Sequence, residues 1–224
     1  YADRLEKAED FETALHEMIK KTIKDHKRII FNGNGYDDAW IKEATEERGL
    51  LNYPTTADCM PHLLDEKNVK MLTSLGVFTI DELHSRRDIM LENYTKSVLI
   101  EANTMVSMAK RQIAPAIEAY AADVAKSAAA KKAIVPELAC RYESGIVSEL
   151  SELIDEIEAK TIELEKAVSA ISGAKDIVEE SAMIRDTVLP VMSELRAPCD
   201  KAEQLTARSY WPYPTYADLL FGVR

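Results

Sequence analysis

Glycine and proline are scarce in this chain, at seven and eight of 224 residues, while Ala, Glu, Leu, Ile and Lys dominate, so intrinsic propensity favours helix over sheet. Cysteine is scarcer still. Cys59, Cys140 and Cys199 are odd in number, far apart and without a Cys-x-x-Cys pair, which argues against a disulfide framework or a zinc site and leaves three buried thiols serving as small apolar residues. No apolar run approaches the ~18 residues that a membrane-spanning helix needs, and no basic start followed by an apolar stretch marks a secretory signal. Positive charge is in deficit: 28 Lys and Arg stand against 39 Asp and Glu, and the resulting −11 repels a phosphate backbone. The chain therefore reads as soluble and cytoplasmic, with neither nucleic acid nor membrane as partner. At 46% apolar and 30% charged it is globular, and long enough for one sizeable core or two small ones.

The usual residue patterns of catalysis are missing too. His16, His26, His62 and His84 are scattered, with no His-Glu-x-x-His and no three ligands within a helical turn of one another. Gly33 and Gly35 lack a third glycine at dinucleotide spacing and no Gly-Lys-Ser/Thr follows, so they read as a structural turn. Paired acids such as Asp155-Glu156 and Glu179-Glu180 arise by composition on acidic solvent faces, and Met90, Met105 and Met108 read as core filler. No catalytic, cofactor-binding or metal-binding residue is assigned.

What is present is helical periodicity. Leu5, Ala8, Phe11, Leu15, Met18, Ile19 and Ile23 fall at three- and four-residue steps and predict one amphipathic helix over 3–26. Arg28 to Phe31 is read as extended, and Asn32-Gly33 and Asn34-Gly35 supply residues that tolerate positive φ in a tight reversal. Asp37 or Asp38 caps a helix to about Arg48, stopped by Gly49; Thr56 caps a short helix through Leu64, and another runs from Glu66 to Leu75, ended by Gly76. The capping box Thr79-Ile80-Asp81-Glu82 opens a long helix. Its stripe of Leu91, Val98, Ala102, Met105, Ala109, Ile113, Ala116, Tyr120 and Val124 reaches about Ala130, with a kink at Pro115. Lys131-Lys132 marks a corner and Pro136 opens a second long helix, with Leu150, Leu153, Ile157, Leu164, Val168 and Ile171 on one face and carboxylates on the other. After Gly173 a third stretch from about Asp176 carries Ile177, Ile184, Val188, Met192, Leu195, Cys199, Ala202 and Leu205, segmented by Pro190 and Pro198. Three such helices bury their stripes most economically on one another, so the expected fold is all-α: a bundle of three long antiparallel helices preceded by smaller helices and a Gly/Asn turn. The expected division is 1–78, 79–208 and a docked tail over 209–224. In that tail alternating prolines hold an extended chain, so the rings of Trp211, Tyr213 and Tyr216 lie in a groove of their own bundle or of another subunit, with Thr215 capping a final turn through Leu220. Leaving Leu219, Leu220 and Phe221 exposed with them would make an apolar patch rare on soluble monomers.

The succession Phe31-Asn32-Gly33-Asn34-Gly35-Tyr36, Trp40 and Gly49-Leu50-Leu51-Asn52 resembles the segment that follows the catalytic core in type III glutamine synthetases. The resemblance continues at Thr55-Thr56, Asp58 and Pro61, at Glu82-Leu83-His84-Ser85-Arg86, at Ile100-Glu101-Ala102, and at Trp211-Pro212-Tyr213-Pro214-Thr215-Tyr216. It departs at Asn34, where the family pattern carries an acidic residue, and at Tyr53-Pro54. It implies a parent enzyme that joins glutamate and ammonia at the expense of ATP, through a γ-glutamyl phosphate and with Mg or Mn, on catalytic residues upstream of this stretch. The first residue is Tyr1 rather than Met, so the chain is read as an excised piece and is expected to be inactive alone. The resemblance implies a C-terminal helical, non-catalytic structural, assembly or regulatory part, partnered by the rest of the parent chain and by neighbouring subunits of a homo-oligomer. Asn32, Gly33, Asn34, Gly35, Tyr36, Trp211, Tyr213 and Tyr216 are its candidate loop or interface residues, and the Asn32 to Tyr36 loop is also placed to close over a nucleotide or substrate. The alternative is a free-standing helical scaffold or adaptor with no enzymatic role.

Overall fold

In the computed structural model, which describes residues 1–222 apart from the side chains of Arg28 and Tyr216, every regular element among the described residues is helical. The all-α class is as expected. Tyr1–Asn52 forms one compact unit and the chain from Tyr53 onward a second.

In the first unit two helices, α1 (Ala2–Glu6) and α2 (Phe11–His26), replace the single one expected over 3–26. Asp10 makes the break. Its carboxylate accepts from the Glu12 N–H at 3.1 Å and the Thr13 N–H at 3.5 Å, satisfying free amides of a new helix start, and from the Thr13 hydroxyl at 2.6 Å. A 3₁₀ turn takes Lys27–Ile29, so only the chain from Ile30 is extended. Asp37 caps α3 (Asp38–Lys42), which widens into a π turn at Glu43–Glu47. Gly49, at φ 67°, lets the Leu50 N–H return to the Ala44 carbonyl at 2.8 Å and ends the run.

The second unit begins with α4 (Thr56–Cys59), capped by Thr55 rather than Thr56. Thr55 wins because an acid stands three residues on: its hydroxyl accepts from the Asp58 N–H at 3.1 Å while the Asp58 carboxylate accepts from the Thr55 N–H at 3.2 Å. A 3₁₀ turn (Met60–Leu64) and α5 (Glu66–Ser74) follow. The Thr79 box then opens α6 (Ile80–Met108), which passes through a π turn (Ala109–Ile113) into α7 (Ala114–Ile134). This first long element spans about 80 Å at 1.5 Å per residue. Lys131 and Lys132 stay inside it, and Pro136 sits in the corner instead of opening the next helix; α8 (Arg141–Ala170) starts after Cys140, at φ 45°. An ion pair between Lys131 and buried Glu143 clamps the two helices, so the reversal falls between them. Asp176 caps α9 (Ile177–Met183), and a π turn (Ile184–Val188) leads into α10 (Leu189–Leu205).

Pro115 and Pro190 each stand two residues beyond a π turn. Proline has no N–H and its ring crowds the carbonyl four residues back, so the wide turn is the form that the expected irregularity takes. It also moves the inward face. Ala109, Ile113, Ile117 and Ala121 are buried at successive four-residue steps, whereas Ala116, Tyr120 and Val124, assigned inward by a regular period, are half-buried.

α8 packs on α7 along one side and on α10 along the other. Lys131–Glu143 near the corner and Lys110–Glu165 at 2.6 Å far from it show α8 antiparallel to the first long element, and the short connection after Ala170 with Lys160–Glu194 at 2.5 Å returns α9–α10 along its other side, so the first and third long elements run in the same direction. The core runs through Leu150, Leu153, Ile157 and Leu164 of α8 to Ile117, Ile184, Val188 and Leu195. Val168, Met192 and Leu205 are half-buried at its margin. Thr161 is tolerated in this apolar seam because its hydroxyl donates to the Ile157 carbonyl at 2.6 Å. The small helices are tied on by Arg185, whose guanidinium donates to Asp58 at 2.5 Å and to both carboxylate oxygens of Asp186 at 2.7 Å.

Truncating Leu153 or Ile157 to alanine should cost about 2–5 kcal/mol in chemical denaturation; unchanged stability would mean that the inward face of α8 is misassigned. Hydrogen bonds from Thr13, Thr55 and Thr79 hold the carboxyls of Asp10, Asp58 and Glu82 below their ordinary values, with Arg185 adding to the effect at Asp58. Folded-state values below the unfolded ones give stability that is complete above the ordinary carboxylate range, about 4, and lost as pH falls through the lowered values. Melting temperatures should therefore drop on acidification below pH ~4, less steeply in Asp58→Asn; a rise toward acid would contradict this.

Candidate functional site

The Asn-Gly loop of the first unit stands on a ring stack. Phe31 lies on Trp40 with centroids 3.7 Å apart and planes 14° from parallel, and the Arg48 guanidinium stands 4.9 Å over the Trp40 ring, with its Nε donating to Glu43 at 2.8 Å. Gly33 is needed for close approach rather than for positive φ: a Cβ there would meet Phe31 ring carbons at 2.5 and 2.7 Å, and the stack leaves that ring little room to retreat. Positive φ among the described residues occurs at Gly49, Gly76 and Cys140, so the expected use of Gly33 and Gly35 is corrected. Asn34 makes the turn itself, its side-chain oxygen accepting from the Tyr36 N–H at 3.1 Å. Tyr36 projects from the loop at 97% exposure. The arrangement is a stacked base presenting one aromatic side chain.

The tail of the second unit roofs an apolar cleft. Trp211 and Tyr213 rest against the helical core, the Tyr210 hydroxyl donates to Asp123, and the Tyr210 ring meets Tyr120 at 5.3 Å. Beyond Pro214, Thr215 and Asp218 form a capping box that starts α11 (Tyr216–Phe221), anchored by an Arg208–Asp218 ion pair. The cleft, about 260 Å³, lies between Met105 and Met108 of α6, Leu195 and Cys199 of α10, and Trp211 and Leu219 of the tail, with Arg196, Asp200 and Glu203 at its rim. Leu219, Leu220 and Phe221 are exposed, which corrects the expectation that the tail is covered along its whole length. The capping box turns the chain into a new helix just past the docked rings, so that Leu219 borders the open cleft while Leu220 and Phe221 face out. The side chain of Tyr216 lies outside the described residues. The Tyr210–Asp123 bond escaped the sequence reading, which followed the Trp-Pro-Tyr-Pro run and left the adjoining tyrosine out.

The Cys199 thiol in the cleft wall is not an activated nucleophile. Burial, with a smaller contribution from Asp200, pushes the Cys199 thiol up to about 11, so it stays protonated at neutral pH. Cys140 is buried as expected, while Cys59 is half-buried. Among the described residues no three His, Cys, Asp or Glu side chains converge as a metal site, and no helix is long and apolar enough to cross a membrane.

A stacked loop in the first unit and a long-helix bundle with a tail-roofed cleft in the second define the class: an all-helical chain. A family model described as the glutamine synthetase C-terminal domain matches residues 14–132. The chain is 35% identical over 216 residues to a glutamine synthetase of Butyrivibrio fibrisolvens, covering 96% of this chain and 31% of that protein. It is 31% identical over 217 residues to the type-3 glutamine synthetase of Dictyostelium discoideum (94% and 29% covered), and 26% identical over 212 residues to a glutamine synthetase of Bacteroides fragilis (93% and 29% covered). The chain belongs to the glutamine synthetase C-terminal domain family. It spans about three tenths of the length of these relatives.

Differences in burial should appear in thiol labelling of the folded chain. Cys59 should react first, and Cys140 and Cys199 only on unfolding; mass-spectrometric mapping that found Cys199 labelled first would contradict its burial.

Proposed function

We propose that this chain is the helical, non-catalytic assembly part of a type III glutamine synthetase. The parent reaction is the ATP-dependent ligation of ammonia to glutamate with Mg or Mn, run in the cytoplasm on residues elsewhere in the parent chain. The observation that carries this reading is the amount of apolar side chain that the fold leaves uncovered. α11 presents Leu219, Leu220 and Phe221, and α2 of the first unit presents Phe11, Ile19 and Ile23. Solvated surfaces rarely expose contiguous apolar patches of this kind unless something packs on them. The rest of the parent chain and neighbouring subunits of a homo-oligomer are the partners that this reading supplies. Within it, 1–78 is the N-terminal helical segment with the Asn-Gly turn and short helices, 79–208 the long-helix bundle, and 209–224 a tail docked through Trp211 and Tyr213.

A second reading is favoured by one observation, the stacked base beneath Asn32 to Tyr36. A loop seated on that stack with Tyr36 fully presented suits closure over a nucleotide or substrate of the intact enzyme. Tyr36→Ala would then raise KM of the parent and leave its assembly alone.

Removing residues 79–224 from the parent enzyme and measuring mass by light scattering tests the first reading. A smaller assembly is expected, and an unchanged mass would contradict it. The isolated chain should also show no low-micromolar affinity for Mg-ATP, about −8 kcal/mol, in calorimetric titration.

A further inference from the structure

The loop on the Phe31–Trp40 stack holds both Asn-Gly steps of the chain, Asn32-Gly33 and Asn34-Gly35, and all four residues are exposed. An asparagine before a glycine is open to attack by its own backbone. With no Cβ to screen it, the glycine nitrogen reaches the side-chain carbonyl carbon of the residue before it. The structure treats the two steps differently.

At Asn34 the side-chain oxygen accepts from the Tyr36 N–H at 3.1 Å. The ring closed by this bond contains both Cγ of Asn34 and the nitrogen of Gly35, so the reacting atoms are folded toward each other before they react. The same N–H stays on that oxygen as negative charge builds there, in the manner of an oxyanion donor. The Gly35 N–H donates to no group among the described residues, and a Cβ on Gly35 would meet nothing within 4 Å, so this peptide has room to turn. Asn32 lacks both advantages. Its side chain makes no hydrogen bond among the described residues, and Gly33 lies against the Phe31 ring, whose nearest carbon is 2.5 Å from where a Cβ would stand. Turning the Gly33 peptide has to displace a ring that is held on Trp40.

We infer that Asn34-Gly35 is a self-modification site, at which Asn34 is converted to aspartate and isoaspartate by its own backbone and water. The Gly35 nitrogen attacks Cγ of Asn34 and closes a succinimide ring. The Cγ–Nδ2 bond breaks, and the side-chain amide leaves as ammonia with the proton that Gly35 gave up. Water then opens the ring, with no change of oxidation state. Cleavage of the new Cγ–N bond leaves aspartate; cleavage between the Asn34 carbonyl carbon and the Gly35 nitrogen leaves isoaspartate, whose main chain runs through Cγ. Either product sets a carboxylate beside Tyr36, Asp37 and Asp38 where an amide stood. The isoaspartyl form also lengthens the main chain by a methylene and removes the side-chain carbonyl from the turn that sets Tyr36. The inference stands on the loop alone and on neither reading of function.

Ageing the folded 224-residue chain in mildly alkaline buffer, followed by mass spectrometry of the tryptic peptide 29–42, tests this, because fragmentation of that peptide tells the two asparagines apart. Asn34 should convert roughly tenfold faster than Asn32, the effect of one hydrogen bond made in the barrier. In denaturant, where turn and stack are both lost, the two rates should converge. Gly35→Ala places a methyl group in open space, so thermal melts should be unaltered while conversion of Asn34 falls to the level of Asn32 or below. Isoaspartate-specific methyl transfer should label the aged chain strongly and the aged Gly35→Ala chain weakly. Faster conversion of Asn32, equal rates in the folded chain, no conversion at either step, or an Asn34 rate unmoved by Gly35→Ala overturns the inference.

Discussion

The second unit depends on burying the apolar seam of α8. That helix has a partner on each side, and Leu150, Ile157 and Leu164 lose essentially all contact with water between them. At about 1.5–3 kcal/mol per large apolar side chain, this burial outweighs the surface ion pairs, whose members are largely solvated and contribute about 0–1 kcal/mol each. Lys110–Glu165 and Lys160–Glu194 therefore fix register along the seam more than they hold it closed.

The same seam explains where irregular geometry is placed. α6–α7 and α9–α10 must each stay continuous to cover α8, yet each contains a proline that a regular helix rejects. A π turn ahead of Pro115 and another ahead of Pro190 let both stripes go on facing inward. Pro198, fully buried within α10, fills core space as an apolar side chain.

What the sequence disclosed was set by how local its signals are. The Thr79-Glu82 box, the helix start near Asp176 and the stops at Gly49 and Gly76 involve neighbours within four residues, and all were legible. The break at Asp10 was hidden because the apolar spacing runs across it, and Thr55 was overlooked beside Thr56 although Asp58 marks it. The α7–α8 corner depends on Lys131 reaching Glu143, and the inward shift to Ile117 on a π turn that a regular period does not encode. At the candidate site the aromatic run announced that Trp211 and Tyr213 pack. It did not disclose the cleft, which needs Met105 and Cys199 brought together from separate helices, nor the outward face of α11.

The bundle is closed around α8 while α11 leaves Leu219, Leu220 and Phe221 exposed, and the proposed assembly would cover that side. Hydrogen exchange read by mass spectrometry on the intact parent and on this chain alone, diluted below any self-association, tests it most directly. Peptides covering 214–222 should exchange more slowly in the parent, while peptides from α8 exchange at the same slow rate in both. Equal rates over 214–222 would contradict the account.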